Sequence, residues 1–238
     1  MLTAANVIAW RQGQAAPSPR LPSAAIVTHQ GYLFLRRGPW ERRSGDRRFS
    51  FDRRSLAKGA VTLAGVRGVG APATAIAIEE LAVAGVRRLV AVDIAGSLVA
   101  GVRSGGIVLI ESAIACDGTS PHYSRDRLVR GDEGLIHRLR QRLTAEGIAF
   151  SSGTVWSTDA VYRETPSKLD EAREQGAILA DMETACVFAV AGALGIEAAA
   201  LLVAADELHG GWRPPAEMRG VRANVHRALG AATACLQP

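Results

Sequence analysis

The sequence predicts one α/β domain, in which helices cover both faces of a twisted central sheet that is mainly parallel or mixed. Three observations carry this. Short continuous apolar runs, such as AAIVT at residues 24–28 and the run at residues 198–205, are how strands read when both faces of their sheet are covered. Segments with helical spacing alternate with these runs along the chain, the order expected of a layered α/β architecture. With 238 residues, 48% hydrophobic and 21% charged, the chain has material for a sizeable core and is not a disordered polymer.

In chain order, residues 1–23 are polar and proline-containing and are expected to form an irregular arm ahead of a domain over 24–238. Residues 24–28 are the first strand. The arginine-rich stretch over residues 36–54 follows as loop or edge structure, and residues 60–66 are a strand. Gly68, Gly70 and Pro72 mark a turn into a helix reaching about Ala84, because Pro is tolerated at a first helical position whose N–H has no partner anyway. Gly85 stops that helix. Strands are expected over 88–94 and 107–115, then a helix over 132–146 with Gly147 as its stop. A strand over 149–156, a short helix over 167–175, and the strand–helix–strand unit over 176–206 follow. A last helix spans 216–236. No linker or internal repeat interrupts this order.

Composition also limits the partners. The opening MLTAANVIAWRQG lacks the basic start and apolar core of a secretory signal. No apolar run approaches membrane-spanning length. Cys116, Cys186 and Cys235 are odd in number and far apart, which suits neither a zinc site nor a disulfide framework and points to a reducing cytoplasm. The net charge is +5, with the excess in residues 36–54. Glu41, Asp46 and Asp52 interrupt that cluster, so it reads as a solvated loop with internal ion pairs. Neither nucleic acid nor a membrane is an expected partner.

The chemistry concentrates in GAILADMETACVFAVAGALGIEAAALLVAAD, residues 176–206. One apolar run ends in Asp181-Met182-Glu183, and a helix stopped by Gly195 leads to a second run ending in Asp206. Open α/β sheets bind ligands at the carboxyl ends of their strands, so Glu183 and Asp206 are expected to face one pocket. The bland alternative makes both of them surface acids. A different class is also open. Gly68-Val-Gly70-Ala-Pro72-Ala73 fits G-x-G-x-x-A between a strand and a helix, and Asp93 ends the next strand, as in dinucleotide-binding oxidoreductases that use NAD or FAD.

Several segments in register resemble the nucleoside phosphorylase/nucleosidase superfamily, which includes purine nucleoside and uridine phosphorylases. Gly68-Val-Gly-Ala-Pro-Ala-Thr-Ala with Glu79-Glu80-Leu81 is similar to its GMGxPS…EEL. Val92-Asp-Ile-Ala-Gly96-Ser-Leu98 is similar to its VGTCGGL. Cys116-Asp-Gly-Thr-Ser-Pro-His-Tyr123 follows its DEGTSxHY, Ser157-Thr-Asp-Ala-Val-Tyr162 its STDAFY, and Asp181-Met-Glu183 with Ala205-Asp206 its EME and SD. The resemblance implies a nucleoside phosphorylase-like fold and cleavage of a nucleoside's N-glycosidic bond, with no cofactor, phosphate as possible co-substrate, and a homo-oligomer, dimer or hexamer.

It further implies that Glu183 accepts hydrogen bonds from the ribose hydroxyls while Met182 packs on the sugar. Asp206 becomes the catalytic acid at the base, as in purine-specific members. Ala95, Gly96, Thr158, Val161 and Asp181 form the base-side wall, and Arg48 and Gly70 are candidates for phosphate. The chain departs from the family where phosphate binds. The turn after the first strand reads His29-Gln30-Gly31-Tyr32-Leu33 instead of Gly-Asp-Pro-x-Arg. Ala91 and Ile94 replace an arginine and a hydroxyl, which removes charge-assisted bonds to phosphate. Asp93 replaces a glycine, where it would repel phosphate or orient a water. Val161 replaces a stacking aromatic. Three readings therefore stand: a phosphorylase with a rebuilt phosphate site, a phosphate-independent nucleosidase, and a non-catalytic nucleoside-binding homologue. His122, Tyr123, His209, Arg213 and Trp212 are further candidates at the rim.

Overall fold

The computed structural model describes residues 2–11, 20–34 and 49–237. Its strands are β1 (Ala24–Thr28), β2 (Phe51–Leu56), β3 (Val61–Val66), β4 (Arg88–Ser97), β5 (Ile107–Cys116), β6 (Leu128–Arg130), β7 (Ser151–Thr158), β8 (Ala177–Asp181) and β9 (Glu197–Glu207). Its helices are α1 (Ala4–Arg11), α2 (Ala71–Val83), α3 (Glu133–Ala145), α4 (Pro166–Glu174), α5 (Thr184–Leu194) and α6 (Met218–Leu236).

The strands form a 9-stranded mixed sheet in the order β2-β3-β1-β4-β8-β7-β5-β6, with β9 bridging β4 and β5. Because β9 pairs parallel with β4 and antiparallel with β5, the strands β4, β8, β7, β5 and β9 close into a ring. The path β2-β3-β1 extends from it as a wing. Alternation along each strand feeds two apolar layers. In β1, Ala25 and Val27 pack with Ile78 and Leu81 of α2 and Val187 and Val190 of α5. Ala24 and Ile26 pack on the other face with Leu135 and Leu139 of α3 and Val225 and Ala228 of α6. That two-sided burial is why the strand reads as a continuous apolar run.

The α/β architecture with helices on both faces matches the sequence reading, and four details differ. The stretch expected to be an irregular arm contains α1. Its Ile8 is fully buried, and its Arg11 Nη1 lies 2.7 Å from the buried Glu80 Oε1. The arginine-rich stretch, expected as loop or edge structure, ends in an edge strand, β2, whose regular antiparallel pairing with β3 had no apolar signal in the sequence. β6, only three residues long, carried no apolar signal to find it by. Finally, β4 and β9 run further than their apolar runs, so Ala95, Gly96 and Asp206 lie inside strands and not beyond them. Among the described residues no helix is long and apolar enough to cross a membrane, and the three cysteines are free.

Candidate active site

Strands β1, β3, β4 and β9 run parallel, so their carboxyl ends share one edge of the sheet. They deliver His29, the Gly68–Gly70 turn, Asp93 to Gly96, and Asp206 to that edge. β8 comes from the opposite direction and pairs antiparallel with the last residues of β4, Gly96 with Ala180 and Ser97 with Leu179. Its end therefore hands Asp181, Met182 and Glu183 to the same edge. Strand ends from distant parts of the chain thus lie along the end of β4.

At one side of β4, Glu183 Oε1 accepts a hydrogen bond from the Gly70 amide at 2.8 Å. Gly70 is the N-cap of α2, with φ 86° and ψ 173°, in a region that L side chains avoid. Oε2 of Glu183 accepts from the Met182 amide at 3.2 Å. Burial, then the charge of Asp181, and behind them that of Asp93, push the Glu183 carboxyl up to about 7, against the opposing pull of His29 and the Gly70 N–H.

His29 stands beside this carboxylate. Its Nδ1 lies 2.8 Å from Asp93 Oδ2, and its backbone N–H donates to the same oxygen at 2.7 Å. The other oxygen, Oδ1, accepts from Gln30 Nε2 at 2.6 Å and from the Ile94 amide at 3.1 Å. His29 Nε2 lies 3.1 Å from Thr74 Oγ1, and that hydroxyl lies 3.0 Å from the Gly70 carbonyl. Burial disfavours a charged ring, yet the hydrogen bond and charge of Asp93, with Glu183 and Asp181 adding to them, raise the His29 pKa above its usual value.

At the other side of β4, Trp212 Nε1 donates to Asp206 Oδ2 at 2.7 Å. Gly96 packs close to this acid: a Cβ there would lie 2.8 Å from Leu208 Cδ1 and 3.4 Å from Asp206 Oδ1, so Leu208 fills the space a side chain would need. Burial, then the charge of Asp206, push the Glu164 carboxyl up to about 7. Two acids thus face each other's fields at this end, and one of them holds its proton near neutral pH.

The remaining expected residues divide. Ala95 and Thr158 are buried at the ends of β4 and β7, and Val161 is 44% exposed on the loop after β7. Asp181 is a structural cap rather than an open wall. It accepts from Ser157 Oγ at 2.5 Å, from the Thr184 amide at 3.0 Å and from Thr184 Oγ1. Gly70, expected at phosphate, directs its amide to Glu183. Arg48 lies outside the described residues. His209 and Arg213 turn to Glu207, at 3.2 and 2.9 Å, and Tyr123 donates to Glu79 Oε1 at 3.3 Å. The glycine turn and Asp93, which a dinucleotide would need, are engaged by Glu183 on the one hand and by His29 and Gln30 on the other. The sequence reading marked the positions of His29 and Asp93 but not their pairing, and it did not single out Thr74 or Glu164.

A model described as the phosphorylase superfamily matches residues 24–237. The chain is 29% identical over 168 residues to the guanosine phosphorylase of Halorubrum lacusprofundi, an alignment covering 68% of this chain and 70% of that protein. It is 28% identical over 145 residues to the uridine phosphorylase of Thermococcus kodakarensis, an alignment covering 55% of this chain and about half, 52%, of that protein. The fold is similar to that of uridine phosphorylase from Vibrio fischeri ES114, with a TM-score of 0.75 at 18% identity over 95% of this chain and 98% of that one. It is also similar to AMP nucleosidase from Bacteroides thetaiotaomicron VPI-5482, with a TM-score of 0.73 at 18% identity over 99% and 97%.

Proposed function

The chain belongs to the phosphorylase superfamily, and from that premise we propose that it cleaves the N-glycosidic bond of a nucleoside at the β4 edge. The observation that carries this reading is the Glu183 carboxylate, largely buried, held by the Gly70 amide and flanked by Met182. An ionised carboxylate accepts from two hydroxyls at once, which suits the vicinal hydroxyls of a ribose. Met182 then packs against the sugar ring.

Bond breaking puts positive charge on the sugar and negative charge on the departing base, so groups that answer this charge separation accelerate it. Glu183, Asp93 and Asp181 supply negative charge on the sugar side. On the base side Asp206, oriented by the Trp212 N–H, meets the base nitrogen, and Glu164 holds a proton close by. An acid at that position favours a purine over uridine. Ala95, Gly96, Thr158 and Val161 line the base side. The cosubstrate is a small acceptor, phosphate or water, and no cofactor is required. The working unit is at least a dimer.

The family description favours phosphate as acceptor. A second reading, hydrolysis, is favoured by Asp93, whose carboxylate occupies the end of β4. The test is a panel of purine nucleosides and uridine incubated with and without phosphate, with free base read directly. Base release from any of them supports the proposal. Binding without release for the whole panel would leave a nucleoside-binding protein instead.

A further inference from the structure

We propose that His29, oriented by Asp93, takes the proton from an attacking water, so that this chain hydrolyses its nucleoside and leaves phosphate unused. The inference rests on the cleavage reading above and adds the identity of the nucleophile and of the group that activates it.

Three features of the site carry it. The first is the fixed tautomer. Asp93 Oδ2 lies 2.8 Å from Nδ1 and has no proton of its own to give when ionised, so Nδ1 carries the hydrogen. The lone pair of the neutral ring is then on Nε2. Both Asp93 oxygens accept from surrounding donors, including the His29 and Ile94 amides and the Gln30 side chain, so the carboxylate cannot rotate away. The His29 side chain keeps 9% exposure, so it is not sealed off completely.

The second is a hydroxyl that follows the proton. Thr74 Oγ1 has one hydrogen and two neighbours, His29 Nε2 at 3.1 Å and the Gly70 carbonyl at 3.0 Å. With a neutral ring it donates to Nε2. When Nε2 takes a proton, the hydroxyl turns to the Gly70 carbonyl and accepts from the new N–H. Both protonation states of His29 are therefore satisfied without moving a heavy atom, which lowers the reorganisation that a proton transfer must overcome.

The third is charge. The N-terminus of α2 would ordinarily attract an anion, but its Gly70 amide is given to Glu183. The charged groups that bear on His29 are Asp93 from β4 and Asp181 and Glu183 from the β8–α5 junction. Carboxylates so placed stabilise an imidazolium and repel a phosphate anion, whereas water is indifferent to them.

In the step itself, the water oxygen forms a bond to the anomeric carbon. The carbon–nitrogen bond breaks, and its electron pair leaves on the base. One water proton passes to Thr74 Oγ1 as that hydroxyl's own proton goes to His29 Nε2, whose lone pair it already faces, and the base is neutralised by a proton from the Asp206–Glu164 end. Nucleoside and water become free sugar and free base. Asp93 acts as a positioning residue.

The test uses the full chain in phosphate-free and phosphate-containing buffer, with the sugar product identified by mass spectrometry. The expected result is equal base release in both and unphosphorylated sugar as product. His29→Ala is expected to lower the rate on the order of 10²- to 10⁴-fold, the usual contribution of a general base, and added imidazole is expected to restore part of it. Asp93→Asn, which keeps the shape, is expected to move the acid limb of kcat/KM to lower pH, because it removes the charge that raises the His29 pKa. Base release that requires phosphate and yields a sugar phosphate would overturn the inference while leaving cleavage in place. So would a His29→Ala rate that is unchanged, or one that imidazole does not lift. No base release under any condition would remove the cleavage reading as well.

Discussion

The Gly70 amide donates to Glu183 Oε1 at 2.8 Å across 113 residues of chain. One hydrogen bond joins the turn after β3 to the end of β8 and fixes the Glu183 carboxylate. The turn needs glycine for its conformation and not for space. Gly70 has a φ of 86°, and the nearest atom to an added Cβ, Pro72 Cδ, would lie 3.9 Å away. Gly70→Ala is expected to cost about 1–3 kcal/mol of stability from its positive-φ, extended backbone alone. It should also lower kcat/KM by displacing Glu183. Chemical denaturation and steady-state rates on the same preparation check both effects.

Glu183→Gln is expected to trade activity for stability. The folded carboxyl titrates at about 7 against an ordinary 4.5, so its favourable contribution is complete below pH 4.5 and is lost as pH rises through 7. Above pH 7 the native fold carries an ionised group it would hold more easily neutral. One pKa unit is worth about 1.4 kcal/mol, so, allowing for the neighbouring His29 charge, the neutral amide should gain about 1–3 kcal/mol at pH 8 and much less at pH 4. Melting curves of the two proteins at both pH values test the sign. A variant no more stable at pH 8 than at pH 4, relative to the parent, would contradict it.

Asp206→Asn is expected to abolish base release, and an unchanged rate would remove Asp206 from the mechanism. Trp212→Phe keeps the ring and deletes the N–H that now lies 2.7 Å from Asp206 Oδ2. Trp212 is 67% exposed, so losing this hydrogen bond is worth about 0.5–1.5 kcal/mol, which would appear as an about 2- to 10-fold fall in kcat/KM. Glu164→Gln is expected to remove a titration near pH 7 from the pH–rate profile, since Glu164 titrates at about 7.

Asp181→Ala is expected to be a folding defect before it is a catalytic one. It would strip the acceptor from Ser157, from the Thr184 hydroxyl and from the Thr184 amide at the start of α5. Leaving such buried donors unsatisfied costs about 1–3 kcal/mol each. For a domain of this size a loss of 1 kcal/mol lowers Tm by about 2–4 °C, so a fall of several degrees is the expected reading in a thermal melt.

An assembly of at least two chains is expected in solution. Light scattering on the purified protein checks it, and a monomer-only mass would contradict it.

By itself the sequence determined the layered α/β architecture. It also located nearly every strand and helix, because apolar runs, helical spacing and stop glycines are local signals. It placed Glu183 and Asp206 at strand ends, since the acids directly follow or close the runs that form β8 and β9. Local signals failed where an element is short or one-sided. α1 is held chiefly by Ile8 and the Arg11–Glu80 pair, and β2 is an edge strand rich in arginine. The tertiary structure alone decided which strand ends meet. The antiparallel arrival of β8 puts Glu183 beside His29, and the parallel pairing of β1 with β4 brings His29 onto Asp93. The His29–Asp93 contact spans 64 residues and the Gly70–Glu183 contact 113. No spacing rule reaches that far, because strand order is set by burial of both sheet faces together and not by any one segment.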